Sequence, residues 1–403
     1  MLLVPAIFAL AALILFFHLG AYGLWEPDEA RYAEIAREML VLRDLLVPHL
    51  NYVAYIEKPP LLYWMTAFAY ALGGVNQFTA RLVPALSAML GLIATFVFAN
   101  RAIGRRRALM ATAILATAPL YAVMAQVLTT DMLLSALVTV ALFALFLHRQ
   151  EGGAWCWIAY AAMGLATMTK GPVGIVLPAL SMAVFLWWEG QLRGVLRRFH
   201  ALGGIALIVA IAAPWFVAIS IREPGFFDFY FVGEHLRRVF QGSYSHGEPL
   251  YFYLPVIAAG LLPWSLLVPF LTWRRMAPSP ARRFCVISTL VIVGAFSLAN
   301  AKLIPYILPA FPPLAVLLAD GIVSCAWPEE RDGARIASPD SRILMESGPL
   351  LGLLGAGVIV AAAEAARFRT PYPLMVQPAM YAIGGILVFG GAMTTLAFLS
   401  RLT

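Results

Sequence analysis

Apolar runs close to the roughly 20 residues that cross a bilayer as a helix recur along the whole of this chain. Of its 403 residues 62% are hydrophobic and only 12% are charged, against roughly 25% charged in a soluble domain. The runs are continuous rather than alternating, which excludes the short two-faced strands of a membrane β-barrel. The sequence therefore predicts an all-α, polytopic integral membrane protein. Its spans fall near 2–20, 80–100, 108–127, 132–148, 154–169, 172–188, 201–220, 251–272, 284–299, 303–320, 348–364 and 376–399, about 12 transmembrane helices on a hydropathy reading. Met1 to Gly20 lacks the basic start and small-residue cleavage site of a signal peptide and reads as a retained first span.

The net charge of +7 would suggest nucleic acid in a soluble protein. Here the basic residues sit in alternate connections: Arg101 and Arg105–Arg107, then Arg149, then Arg193, Arg197 and Arg198, then Arg274, Arg275, Arg282 and Arg283, then the stretch RDGARIASPDSR. Loops rich in arginine stay in the cytoplasm, so both chain ends and these connections are placed inside, and no nucleic-acid partner is implied. Cys156, Cys285 and Cys325 are far apart and form no metal or redox spacing.

That orientation puts the remaining unusual polar residues on the opposite, outer face. These are a charged stretch from Trp25 to Lys58, then Asp131, Lys170, the segment REPGFFDFYFVGEHLRR and Lys302. Their convergence on one side is the main sign of a site. The outer loop 21–79 opens with WEPDEARYAEIAREM. Pro27 suits a helix start, and Asp28 and Glu29 fall in a first turn where the dipole favours anions. Ala33, Ala36, Met39 and Leu40 face the membrane in this reading, while Arg31, Glu34, Arg37 and Glu38 face polar surroundings, as in an interfacial helix. Glu57 and Lys58 precede Pro59 and Pro60, which end regular structure, and 61–72 reads as a second surface helix.

Two carboxylates at a membrane surface, Asp28 and Glu57, can bind a cation, orient a phosphate or remove a proton. Ordinary capping explains Asp28 as well, and a solvated helix face explains Glu29, Glu34 and Glu38. Asp131 opens a span, where a carboxylate caps a helix, pairs with a cation or borders water. Lys170, in MTKGP, either holds a phosphate or carboxylate or snorkels to the interface. His235 stands beside Glu234, Arg237 and Arg238, a setting that suits cation or proton handling and phosphate contact. Lys302 opens KLIPYILPAFPPLA, whose prolines interrupt an apolar run, as they do around polar cavities in membrane proteins. Tyr306 lies in that run, as a cavity hydroxyl or an interfacial anchor.

WEPDEARYAEIAREM, YIEKPPLLYW, Asp131, MTKGP, GEHLRR and KLIPYILPAFPPLA occur in the order seen in bacterial membrane glycosyltransferases of the GT-C class. The chain resembles the lipid A aminoarabinose transferases within the protein O-mannosyltransferase-like superfamily, over residues 1–320. The resemblance implies a GT-C catalytic transmembrane domain over 1–320, followed in 321–403 by a cytoplasmic loop and a C-terminal hairpin of spans. It implies a polyprenyl-phosphate-linked sugar donor, a lipid or protein acceptor in the outer leaflet of the bacterial inner membrane, and inversion at the anomeric carbon. It makes Asp28, Glu57 and Asp131 catalytic. Lys58, Lys170, Arg237, Arg238, Lys302 and Tyr306 become the donor-phosphate contacts, and Glu57 with His235 the holders of a divalent metal cation. A transporter or flippase of lipid-linked sugars is the competing reading, since broken helices and polar residues also line pathways. A non-catalytic assembly component is a third.

Overall fold

The computed structural model describes residues 3–230, 233, 248–271 and 279–326, together with 352, 356 and 360. Its packing divides the chain into two units, Met1–Leu261 with Pro278–Ala319, and Leu262–Ala277 with Asp320–Thr403. Everything that forms the site below lies in the first.

The first unit is helical. Among the described residues the helices are α1 (Leu3–Phe16), α2 (Asp28–Leu42), α3 (Leu61–Gly73), α4 (Gln77–Ala102), α5 (Arg105–Thr117), α6 (Pro119–Met124), α7 (Thr130–Glu151) and α8 (Trp155–Lys170). They continue with α9 (Val173–Trp188), α10 (Val195–Arg198), α11 (Ala201–Arg222), α12 (Tyr253–Gly260), α13 (Pro280–Leu298) and α14 (Phe311–Ala326). A short 3-10 helix occupies Ile304–Ala310, and another, Trp264–Phe270, belongs to the second unit, as does the end of α14 from Asp320. Among the described residues five stretches are long and apolar enough to cross a membrane: Gln77–Ala102, Thr130–Glu151, Ala201–Arg222, Pro280–Leu298 and Ile304–Ser324.

Helix α7 is the axis of the unit. Almost every residue from Thr130 to His148 is buried, because α4, α8, α9 and the Ile304–Ala310 turn pack around it. A helix apolar on all sides buries all of them. One end of the bundle is filled by aromatic rings. Phe98 of α4 stacks on Phe143 of α7 at 4.1 Å, and Phe146, Phe185 and Phe284 close around them. Small residues set the spacing elsewhere. A Cβ on Gly174 of α9 would stand 2.5 Å from the Ala166 Cβ on α8, so only glycine permits that approach.

Proline breaks several spans that the hydropathy reading runs straight through. The stretch 108–127 is two helices that meet at Ala118 and Pro119. The stretch 251–272 stops at Gly260 and resumes as a 3-10 turn after Pro263. The stretch 303–320 begins as a 3-10 turn containing Pro305 and Pro309. Each proline removes an amide donor from the helix ladder. The two surface helices of the outer loop are both present, as α2 and α3.

A small hairpin joins them, with His49 opposite Ala54 and Leu50 opposite Val53. Its turn residues Asn51 and Tyr52 both have positive φ, 53° and 63°, as a two-residue I′ turn requires. The Tyr52 amide donates to the Glu38 carboxylate at 3.0 Å, which ties the turn to α2. The loop ahead of the hairpin is pinned as well. Asp44 accepts from the Leu46 and Val47 amides at 2.9 and 3.1 Å, and the Trp64 and Trp215 indoles donate to the Leu45 and Leu46 carbonyls at 2.7 and 2.9 Å.

Helix α2 differs from its expected form. Ala33, Ala36 and Met39 are buried against protein, not lipid, and Glu29 and Glu38 are 1% and 0% exposed rather than solvated. The amphipathic pattern is real, but both faces of the helix have protein partners.

Candidate active site

The outer-face carboxylates meet through intermediaries. Asp28 lies in the first turn of α2 but caps nothing; its Oδ1 accepts from Arg31 Nη2 at 2.8 Å. Arg31 Nη1 donates to the Tyr55 hydroxyl at 3.2 Å, and that hydroxyl donates to Glu57 Oε2 at 2.6 Å. Asp28, Arg31, Tyr55 and Glu57 therefore form one hydrogen-bonded run between α2 and the segment that enters α3. Burial and the bond to Glu57 push the Tyr55 phenol up to about 12, so it stays a neutral donor at physiological pH. Asp28 remains 62% exposed, open to an acceptor from outside. Lys58 follows Glu57 and is half-buried.

A second set lies at the start of α7. Asp131 pairs with Lys170, at the end of α8, at 2.5 Å, with side chains 11% and 16% exposed. The Lys170 ammonium also sits 4.0 Å from the centre of the Tyr306 ring, a cation–π contact. The sequence left Asp131 open between a helix cap, a pair and a water-bordered position; in the fold it pairs with Lys170. Tyr32 stands between the two sets. Burial pushes its phenol above its ordinary value, and Asp131, Tyr55 and Asp28 push the same way. Tyr63, whose ring centre is 6.0 Å from that of Tyr32, is fully buried with a hydroxyl that has no hydrogen-bond partner among the described residues.

Beneath both sets is a buried lock. Arg81 of α4 and Glu29 of α2 form a two-pronged ion pair at 2.9 and 2.7 Å, with side chains 0% and 1% exposed. Arg81 also donates to the Leu19, Tyr22 and Gly23 carbonyls, and its guanidinium lies 4.0 Å from the Tyr22 ring centre. Glu29 accepts from the Trp25 amide at 2.9 Å and the Leu128 amide at 2.8 Å. Glu29 adjoins Asp28, and Leu128 lies three residues before Asp131. One pair thus fixes the backbone on both sides of the site. Sequence reading passed over Arg81 as part of a span. The signal was there: an ionisable residue at the end of an apolar run is costly and needs a partner.

Lys302 is buried and donates to the Glu248 carbonyl at 3.1 Å, a contact separate from the Asp131 set. Arg237, Arg238 and His235 lie outside the described residues. Among the described residues no three histidine, cysteine or carboxylate side chains group as metal ligands.

The dolichyl-phosphate-mannose-protein mannosyltransferase family model matches residues 57–217. The chain is similar to the undecaprenyl phosphate-alpha-4-amino-4-deoxy-L-arabinose arabinosyl transferase of Shewanella sediminis, at 32% identity over 94% of this chain and 70% of that protein. It is similar to the first such transferase of Pseudomonas fluorescens, at 33% identity over 84% of this chain and 61% of that protein, so it spans less than two thirds of that relative. The crystal structure of ArnT from Cupriavidus metallidurans bound to undecaprenyl phosphate superposes with a TM-score of 0.81 at 29% identity, over 99% of this chain and 78% of that one. Archaeal AglB from Archaeoglobus fulgidus shares the fold alone, with a TM-score of 0.52 at 13% identity.

Fold and site together define an all-α, multi-pass membrane glycosyltransferase of the GT-C class, dependent on a polyprenyl-phosphate-linked sugar, with its site facing the periplasm. Within that class, the chain belongs to the family of undecaprenyl-phosphate aminoarabinose arabinosyl transferases.

Proposed function

We propose that this chain transfers an aminoarabinose-like sugar from undecaprenyl phosphate to a phosphate or hydroxyl of a lipid A-like acceptor at the periplasmic face, inverting the anomeric carbon. The observation that carries the reading is the run Asp28–Arg31–Tyr55–Glu57, which links an exposed carboxylate to a partly buried one through Arg31 and Tyr55.

In the reaction the acceptor oxygen forms a bond to the sugar's anomeric carbon. The bond from that carbon to the donor phosphate breaks, and polyprenyl phosphate leaves with the electron pair. Asp28 takes the proton when the acceptor is a hydroxyl; when it is an anionic phosphate oxygen, Asp28 orients it and no proton moves. Lys58, Lys170, Tyr306, Lys302, Arg237 and Arg238 stabilise the leaving phosphate. Asp131 holds the Lys170 ammonium in place for that task. Twelve spans, with 1–320 as catalytic domain and 321–403 as a cytoplasmic loop and terminal hairpin, belong to the same reading.

Mass spectrometry of envelope lipids and glycoproteins, from a deletion strain and a complemented one, tests this reading. Loss of one sugar mass from a lipid A-like species supports it, and an unchanged envelope counts against it.

Tyr55→Phe removes the group that joins Arg31 to Glu57. A hydrogen bond to a charged group is worth about 1.5–3 kcal/mol, so kcat should fall roughly tenfold to a hundredfold if the run orders the site for the transition state. Steady-state kinetics on the purified variant measures this.

Glu57 with His235 would hold a divalent cation in this reading, and the cation would supply positive charge to the departing phosphate. A carboxylate and an imidazole are suitable ligand types, and the half-buried Glu57 keeps its carboxylate at the site surface. Elemental analysis of purified protein should show His235→Ala losing bound metal, with Glu57→Gln losing it as well. Equal metal content in both variants and wild type would remove the cation from the scheme.

A further inference from the structure

At the opposite end of the bundle, away from the sugar site, two arginines pair with one carboxylate and a third joins them through a backbone carbonyl. Glu189, at the end of α9, accepts from Arg283 Nε of α13 at 2.7 Å and lies 3.6 Å from Arg149 Nη2 of α7. Arg198 of α10 donates to the Arg149 carbonyl at 2.9 Å. Its own carbonyl contacts the His148 ring at 3.0 Å, which fixes its backbone to α7. Arg149 Nε donates to Gln191 at 3.1 Å, and its guanidinium lies 5.1 Å from the Phe185 ring centre. Of the charged groups within electrostatic reach of Arg149, Glu189 opposes its charge, while Arg198 and Arg283 repel it. Positive charge exceeds negative here before the exposed Arg193 and Arg197 are added.

The same connection exposes bulky apolar groups. Trp187 and Trp188 are 65% and 66% exposed, and Leu196 is 72% exposed. Tryptophan beside arginine marks the headgroup level of a bilayer, and the positive-inside pattern puts this end at the cytoplasmic leaflet. An unbalanced arginine set bordered by lipid-facing tryptophan fits a molecule with an anionic head and apolar chains. A free anion would use only the first of these features.

We propose that Arg149, Arg198 and Arg283 form a binding site for the headgroup of an anionic phospholipid of the cytoplasmic leaflet. The phosphate takes the guanidinium donors that Glu189 leaves over, and the acyl chains run past Trp187 and Trp188.

Native mass spectrometry of delipidated full-length protein, titrated with phosphatidylglycerol or phosphatidylcholine, tests the site. Saturable binding of phosphatidylglycerol is expected, with Arg198→Gln and Arg283→Gln each weakening it about fivefold, the effect of one basic residue near an anionic lipid surface. Arg198→Lys should retain most of it. Arg105→Gln removes an exposed arginine from another connection on the same face and should leave binding unchanged. Melting curves without lipid check folding, and the exposed Arg198 side chain keeps that variant decisive if Arg283→Gln is unstable. Equal binding of phosphatidylcholine would overturn the proposal, as would an Arg105→Gln effect as large as that of Arg198→Gln. Displacement by inorganic phosphate at matched concentration would assign the site to a free anion instead.

Discussion

Asp28→Asn should lower kcat by about 10²–10⁴-fold with a hydroxyl acceptor, the range spanned by general acid–base catalysis, while leaving the melting temperature nearly unchanged. The reasoning is local. Asp28 is the most exposed member of its run, 62% against 29% for Arg31, and exposed ion pairs contribute only about 0–1 kcal/mol to stability. The substitution keeps size and shape but removes the charge that accepts a proton. The acceptor's chemistry then decides the magnitude. With an already anionic phosphate acceptor the loss should fall well below the hydroxyl case, because orientation alone is removed. Kinetics with both acceptor types, on one enzyme preparation, would separate proton removal from positioning. An equally small loss with both would restrict Asp28 to holding the acceptor.

Glu29→Gln and Arg81→Met should be the most destabilising single changes near the site. Each leaves a buried partner charged and unpaired, a situation that costs about 3–5 kcal/mol. Arg81→Met would also abandon three backbone carbonyls, and Glu29→Gln would lose one of the two oxygens that accept from backbone amides. Either variant should melt well below wild type and lose activity through disordering of the segments that carry Asp28 and Asp131. The double variant Glu29→Gln with Arg81→Met should recover part of the stability, since no lone charge remains. Thermal melts of the four proteins form a double-mutant cycle. Additive losses would mean that the pair is not the lock described.

The contrast between the two predictions shows what the sequence could disclose. Asp28, Glu57, Asp131 and Lys170 stood out because charge is rare in this chain and they cluster on one face once the arginines orient it. Their pairing did not stand out. Asp28 and Glu57 are linked through Arg31 and Tyr55, two residue types that look ordinary on an interfacial helix and a loop. Asp131 and Lys170 are 39 residues apart and meet only because α7 and α8 pack side by side. Glu29 and Glu38 read as solvated because periodicity distinguishes two faces of a helix but not what covers each. In α2 these two positions are covered by protein while Arg31, Glu34 and Arg37 stay partly exposed, and the two carboxylates are satisfied by Arg81 and by the Tyr52 amide. Helix breaks at Pro119 and Pro263 were invisible to a hydropathy window, which averages over them, whereas the interruption at Pro305 was legible from the density of prolines there. His235, Arg237 and Arg238 rest on sequence alone.

The central claim is that a covalent sugar transfer occurs at the outer face. Purified protein in liposomes, supplied from outside with undecaprenyl-phosphate-linked aminoarabinose and a lipid A-like acceptor, tests it most directly. Free undecaprenyl phosphate and sugar-bearing acceptor should appear in a one-to-one ratio and be lost together in Asp28→Asn. Movement of intact donor across the bilayer with no covalent product would contradict the claim and favour a flippase.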